Sequence, residues 1–71
     1  MQIGRAIYRI RKSKGITLKE LSAEIGISRF SLSRIETGNR RLTWDVLVKI
    51  SEGLRVKVSD IVVTYERLNQ L

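Results

Sequence analysis

A chain of 71 residues, 42% hydrophobic and 30% charged, has the make-up of one small globular domain with a modest core. It contains no cysteine and no histidine, which excludes zinc fingers, disulfides, thiol nucleophiles and histidine acid–base chemistry. The net charge of +7 is one-sided, because residues 1–41 carry ten Lys or Arg against three Glu while residues 42–71 carry four of each sign.

A basic half of this kind suits a polyanion, since neutralising phosphates releases counterions; a solvated surface kept for solubility is the plainer alternative. The apolar runs fall far short of the roughly 18–20 residues of a membrane span. The basic N-terminus continues into an amphipathic pattern without the apolar segment of a secretory signal. The seven carboxylates form no pair with an evident cleft. No enzyme, metal, cofactor or small-molecule ligand is expected.

Residues 2–14 read as a first helix. Ile3, Ile7 and Ile10 recur at i, i+4 and i+7 with Ala6 beside them, which makes one apolar face. Gly15 is placed to end it, and Arg11, Lys12 and Lys14 suit the negative end of its dipole. Arg5, Arg9 and Lys12 read as solvated charge, with phosphate contact as the alternative.

Thr17 and Glu20 have capping-box spacing for a second helix, Thr17 to Ile25, with Leu18, Leu21 and Ile25 on one face, Ala23 on its flank and Gly26 closing it. Ser28 stands where an N-cap is wanted for a third, running to Glu36 or Thr37 with Leu32 and Ile35 inward. Two helices of about eight residues joined by a turn of three to four form a helix-turn-helix, an arrangement that DNA binders use. The outward residues of the third helix are Arg29, Phe30, Ser33 and Arg34. Arginine can bond both O6 and N7 of guanine, serine reaches several base edges, and an aromatic ring can meet a thymine methyl. For Phe30, core packing is the equal alternative.

Thr37-Gly38-Asn39-Arg40-Arg41 is a loop whose backbone N–H, amide and guanidinium donors suit phosphate oxygens. Thr43 caps a fourth helix, Trp44 to Gly53, with Val46, Leu47 and Ile50 inward. Trp44 either packs over the core edge or stands at a subunit contact, where tryptophan is enriched. Ser59-Asp60 opens a fifth element, and Ile61 to Tyr65 reads as a last helical turn or as a short strand. Residues 66–71 are helical or frayed, and Leu68 and Leu71 are expected to find no room in so small a core and to face a partner. Domain organisation is expected to be one unit over 1–71, with its core in 3–62 and a tail in 63–71.

Over residues 3–62 the chain resembles the lambda-repressor-like family, also called Cro/CI or XRE. The resemblance is carried by Ile3-Gly4 with Ile7, Ile10-Arg11, Gly15-Ile16-Thr17, Glu20-Leu21-Ser22 and Gly26-Ile27-Ser28. It continues through Leu32, Ile35-Glu36, Gly38, Leu47, Ile50, Leu54 and Val56. It implies an all-α, compact five-helix DNA-binding domain with the helix-turn-helix on helices two and three. It also implies that Arg11 and Glu36 form an internal salt bridge holding helix one to the end of helix three. Ser28, Arg29, Phe30, Ser33 and Arg34 match the positions that face DNA, and Asn39, Arg40 and Arg41 match the loop that grips its backbone. Family members usually carry Gln after the helix-two cap, where it touches phosphate. Leu18 stands there instead, so Thr17 and Leu18 are left to offer phosphate the backbone N–H groups of the helix end. Arg41-Leu42-Thr43, in place of the commoner Pro-Ser, resembles the controller proteins of restriction–modification systems.

The function implied is a sequence-specific regulator of transcription that binds double-stranded DNA as a homodimer on a roughly palindromic operator, as a repressor or autoregulator. Dimer contacts are expected at Val58, Ile61, Val62 and Tyr65, with core packing as the alternative for the first two. The resemblance also implies a cytoplasmic, nucleoid-associated protein of prokaryotic or phage origin. A second reading is an antitoxin, or another interaction module, whose tail binds a protein partner by strand addition while its motif autoregulates an operon.

Overall fold

Five helices follow one another in the computed structural model, which describes residues 3–70: α1 (Ile3–Ser13), α2 (Leu18–Ile25), α3 (Arg29–Glu36), α4 (Trp44–Leu54) and α5 (Val58–Asn69). Gln2 and Leu71, which the sequence pattern assigns to the first helix and the tail, lie outside the described residues. Their starts follow from local chemistry. Thr17 Oγ1 accepts the Glu20 N–H at 3.0 Å while Glu20 Oε1 accepts the Thr17 N–H at 2.9 Å, a reciprocal capping box. Ser28 Oγ accepts the Ser31 N–H at 3.1 Å, and Thr43 Oγ1 accepts the Val46 N–H at 3.3 Å.

Helix ends reuse one device. At the end of α3, Gly38 takes a left-handed φ of 80° so that the Asn39 N–H returns to the Arg34 carbonyl at 2.8 Å and the Gly38 N–H to Ile35 at 3.1 Å. At the end of α4 the same turn is made by Arg55, a non-glycine residue at φ 60°, with the Val56 N–H on the Ser51 carbonyl at 3.0 Å. Helix four therefore runs one residue past the end expected at Gly53. That glycine lies inside the helix and faces α2, where a methyl group would meet Ile25 and Leu21.

The tail is a single helix. Val58 opens α5, ahead of the Ser59 start expected, because Asp60 Oδ2 accepts the Lys57 N–H at 2.8 Å. Residues 61–65 are helical rather than a strand. Ile61, Tyr65 and Leu68 recur at i, i+4 and i+7, pack on the core and lie along α1, and this packing overrides the β-preference of the Ile-Val-Val-Thr run. Leu68 thus corrects the expectation that it has no room; it is half-buried against the core.

That core is assembled from every helix: Ile3, Ala6 and Ile7 of α1, Leu21 of α2, Leu32 and Ile35 of α3, Leu47, Ile50 and Leu54 of α4, and Ile61 of α5. Each large side chain taken fully out of water contributes about 1.5–3 kcal/mol relative to exposure. α1 rests on α5 and α3, and α2 on α4 and α3, so α3 is held from two sides. The α1–α3 seam is backbone against backbone. A Cβ at Gly4 would collide with the Ile35 carbonyl, so only glycine lets the first turn of α1 lie so close to the end of α3. No helix among the described residues is long and apolar enough to cross a membrane.

Candidate nucleic-acid interface

α3 has two sides with opposite chemistry. Leu32, Ile35 and Glu36 are buried. On the other side Arg29 and Arg34 are exposed, Ser33 is half-exposed, and Phe30 leaves 71% of its surface open. Core packing is thereby ruled out for Phe30. Leu32 and Ile35 already fill the inner face, and residue 30 falls on the opposite stripe. Ser28, also exposed, uses its Oγ lone pair on the helix cap and keeps its hydroxyl proton for an outside acceptor.

Arg34 is held in place. Its Nη2 donates to the Asn39 carbonyl at 3.1 Å, and its Cζ lies 5.6 Å from the centre of the Phe30 ring. Since the Asn39 N–H returns to the Arg34 carbonyl, the two residues exchange hydrogen bonds and tie the loop to the helix. Thr37 adds to the tie, donating to Ser33 and Arg34 carbonyls and accepting from Asn39 Nδ2 at 3.1 Å. The sequence pattern does not single out Thr37 or this Arg34–Asn39 exchange; the signal was Gly38 two residues after the helix, which makes residue 39 the one that turns back.

The loop's donors are consequently fewer than expected. The Gly38 and Asn39 N–H groups and one of the two Asn39 amide protons are engaged within the chain, whereas the exposed Arg40 and Arg41 guanidinium groups have no acceptor among the described residues. A similar correction applies to Thr17. Its N–H serves the capping box, and hydrogen bonding to Thr17, to its backbone N–H first and its side chain second, holds the Glu20 carboxyl below the usual range. Leu18 is half-buried against the core, so what α2 leaves for an anion is the unpaired N–H groups of Leu18 and Lys19 at its positive end.

Behind α3 lies its anchor. Arg11 Nε donates to Glu36 Oε2 at 2.7 Å, Nη2 to Oε1 at 3.0 Å, and Nη1 to the Ile16 carbonyl at 2.8 Å. Both side chains are almost fully buried, and the Glu36 hydrogen bonds raise the Arg11 pKa, so the guanidinium stays charged. Fork-to-fork bonding of this kind fixes orientation as well as supplying energy.

Burial divides the expected dimer residues. Ile61 is wholly buried in the core and can touch no partner, and Val58 and Tyr65 are half-buried. Val62 and Val63 are the exposed apolar positions of α5, at 38% and 42%. Val62 lines an open groove together with Ile3, Ile35, Leu42, Leu47 and Trp44. Trp44 itself is 66% exposed, so most of its surface lies outside the core.

Comparisons with known proteins agree with this layout. Residues 7–61 match the model of the helix-turn-helix family HTH_3. Among curated relatives, the antitoxin PezA of Streptococcus pneumoniae is 36% identical over 67 residues, 94% of this chain but 42% of PezA, so the chain spans less than half of that protein. The uncharacterized HTH-type transcriptional regulator y4dJ of Sinorhizobium fredii is 33% identical over 60 residues, 84% of this chain and 78% of y4dJ. Of solved structures, the clp gene regulator ClgR from Corynebacterium glutamicum superposes with a TM-score of 0.86 at 28% identity, covering 89% of this chain and 82% of that one. The restriction–modification controller protein C.Esp1396I gives 0.85 at 28% identity, covering 99% and 92%. SinR, the master regulator for biofilm formation, solved in complex with DNA, gives 0.77 at 34% identity, covering 84% and 97%. With five helices in this order, a two-sided third helix and a family match over most of its length, the chain belongs to the HTH_3 helix-turn-helix family of transcription regulators.

Proposed function

We propose that this regulator reads a specific operator as a homodimer, each α3 entering a major groove of double-stranded DNA with half-sites about 34–36 Å apart. The observation that carries this reading is the outer face of α3, where Arg29, Phe30 and Arg34 lie exposed and Ser33 half-exposed. In this reading Arg29, Ser33 and Arg34 meet base edges, Phe30 lies beside them, and Ser28, Arg40 and Arg41 contact phosphates. The Leu18 and Lys19 N–H groups add backbone contacts from α2, and Asn39 serves by holding the loop. The dimer surface is the groove of Trp44, Leu42 and Val62, extended by Val63, which leaves Val58 and Tyr65 at its margin. An exposed tryptophan beside a cluster of aliphatic side chains is the composition of an interface centre. The likeness to controller proteins of restriction–modification systems supports autoregulation by protein concentration in the cytoplasm, as one domain over 1–71.

Selection of binding sites from a random duplex library at near-physiological salt tests the reading. A roughly palindromic enriched motif, with a complex containing two chains, is the expected result. Salt-sensitive binding with no enriched motif overturns it. PezA supports a second reading, an antitoxin module with a protein partner. Since α5 is one helix, such a partner would meet the exposed Val62–Val63 face rather than an added strand. Co-purification of a second, untagged protein with the tagged chain from its own host separates the two.

A further inference from the structure

Phe30 is a large apolar side chain left 71% exposed on a helix whose inner face is already filled, so folding alone does not account for it. Arg34 stands one helical turn on. The Arg34 Cζ lies 5.6 Å from the ring centre, within the roughly 6 Å over which a guanidinium is attracted to an aromatic face. The Asn39 carbonyl takes an Nη2 proton of the same group at 3.1 Å, and that carbonyl is itself fixed by the Gly38 turn. The guanidinium is thus held on its face by the ring and at one end by a carbonyl. Its Nε–H and Nη1 protons have no acceptor among the described residues. A long, flexible side chain held this way meets DNA with part of its rotamer freedom already removed.

We propose that Phe30 is a positioning residue for Arg34: its ring and the Asn39 carbonyl clamp the Arg34 guanidinium, so Phe30 sets the base preference at the position Arg34 reads without being required to touch that base. The inference rests on the operator-reading function above and goes one step past it, because it moves Phe30 from direct contact with thymine to action through a neighbour. Its specific consequence is that two residues one helical turn apart govern a single base-pair position.

The test is binding-site selection and affinity measurement for the wild type, Phe30→Leu, Phe30→Trp, Arg34→Ala and the double variant Phe30→Leu/Arg34→Ala. Residues 30 and 34 are both exposed, so every variant is expected to remain folded at the assay temperature, which thermal melts check. Phe30→Leu is expected to flatten the same base-pair position as Arg34→Ala, with about a two- to fivefold loss of affinity, the range of an exposed cation–π contact. Phe30→Trp, which keeps an aromatic face, is expected to restore the preference. In the Arg34→Ala background Phe30→Leu should change nothing further. In the DNA-free protein, the Arg34 Nε–H resonance should move on Phe30→Leu and return towards its place in Phe30→Trp. If Phe30→Leu flattens a different position, or adds its full effect to Arg34→Ala, the ring reads a base directly and the clamp is wrong. A wild type that selects no site removes the operator reading itself. A wild type that selects a site, with Arg34→Ala flattening a position that Phe30→Leu leaves intact, removes only the clamp.

Discussion

Two arginines flank α3 with similar aromatic and carbonyl partners, and only one has its charge matched within the described residues. Arg11, behind the helix, lies 5.4 Å from the Tyr8 ring centre and donates to the Ile16 carbonyl; Arg34, on its outer face, lies 5.6 Å from Phe30 and donates to the Asn39 carbonyl. The differences are burial and one carboxylate. Glu36 takes two hydrogen bonds from Arg11, and both groups are withdrawn from water. No carboxylate among the described residues pairs with Arg34. An aromatic face and a carbonyl can orient a guanidinium, but only an anion neutralises it. The inner arginine is therefore complete within the chain, while the outer one is oriented with its charge still unmatched.

The comparison is broken most directly at the carboxylate. Glu36→Ala leaves a buried guanidinium unpaired and is expected to destabilise the fold by about 3–5 kcal/mol, enough to abolish much of the stability of so small a domain. Arg34→Ala removes an exposed charge and is expected to cost about 1 kcal/mol or less. Urea denaturation of both variants decides the matter, and equal losses would mean that the two settings are not different in kind.

On the DNA side the ranking reverses. Arg29→Ala and Arg34→Ala are each expected to weaken operator binding by about 1–3 kcal/mol and to relax base preference. Competition titrations against the selected site measure this; unchanged affinity for either variant would take the outer face of α3 out of the interface. Smaller and of another kind is the effect of Arg40→Ala or Arg41→Ala. Each is expected to weaken binding evenly across sequences and to lower the slope of log affinity against log salt by about one unit. Loss of sequence preference from these loop changes would contradict a phosphate role.

The smallest effect concerns an exposed carboxylate, Glu20. Its folded pKa lies below the unfolded value because hydrogen bonding to Thr17, backbone N–H first and side chain second, favours the charged carboxylate. Its contribution to stability is therefore complete above the ordinary glutamate pKa of about 4.3 and disappears as the pH falls through the lower folded value. Melting curves of wild type and Glu20→Gln should converge as the pH drops through that range. A difference that stays constant to strongly acid pH would mean that the cap does not depend on the charge.

Where the sequence was readable, the controlling chemistry was local. The starts at Thr17, Ser28 and Thr43 and the stop at Gly38 each depend on atoms within about four residues, and each is visible in the spacing of hydroxyl, carboxylate and glycine. Residues 61–65 were ambiguous because a β-branched run weakens a helix locally, while its commitment to helix comes from α1, more than forty residues earlier in the chain. Gly53 misled for a related reason. A glycine that ends a helix and one that admits a neighbouring helix look alike until the neighbour is known. At the candidate interface, the residue types on the outer face of α3 were legible from helical phase. The engagement of Arg34 with Asn39 was not, since it depends on a chain reversal that brings residue 39 back beside residue 34.

The division of α3 into an inner set and an outer set also bears on how such a protein can diverge. Leu32, Ile35 and Glu36 hold the helix, and the Gly4 seam fixes its end against α1 through backbone atoms. Residues 29, 30, 33 and 34 can be exchanged with little consequence for folding, because none of them belongs to the core. Such a helix behaves as a fixed stamp with replaceable type. If the outer face reads the operator as proposed, new binding preferences can be sampled by substitution at a few positions with little change in the stability of the domain.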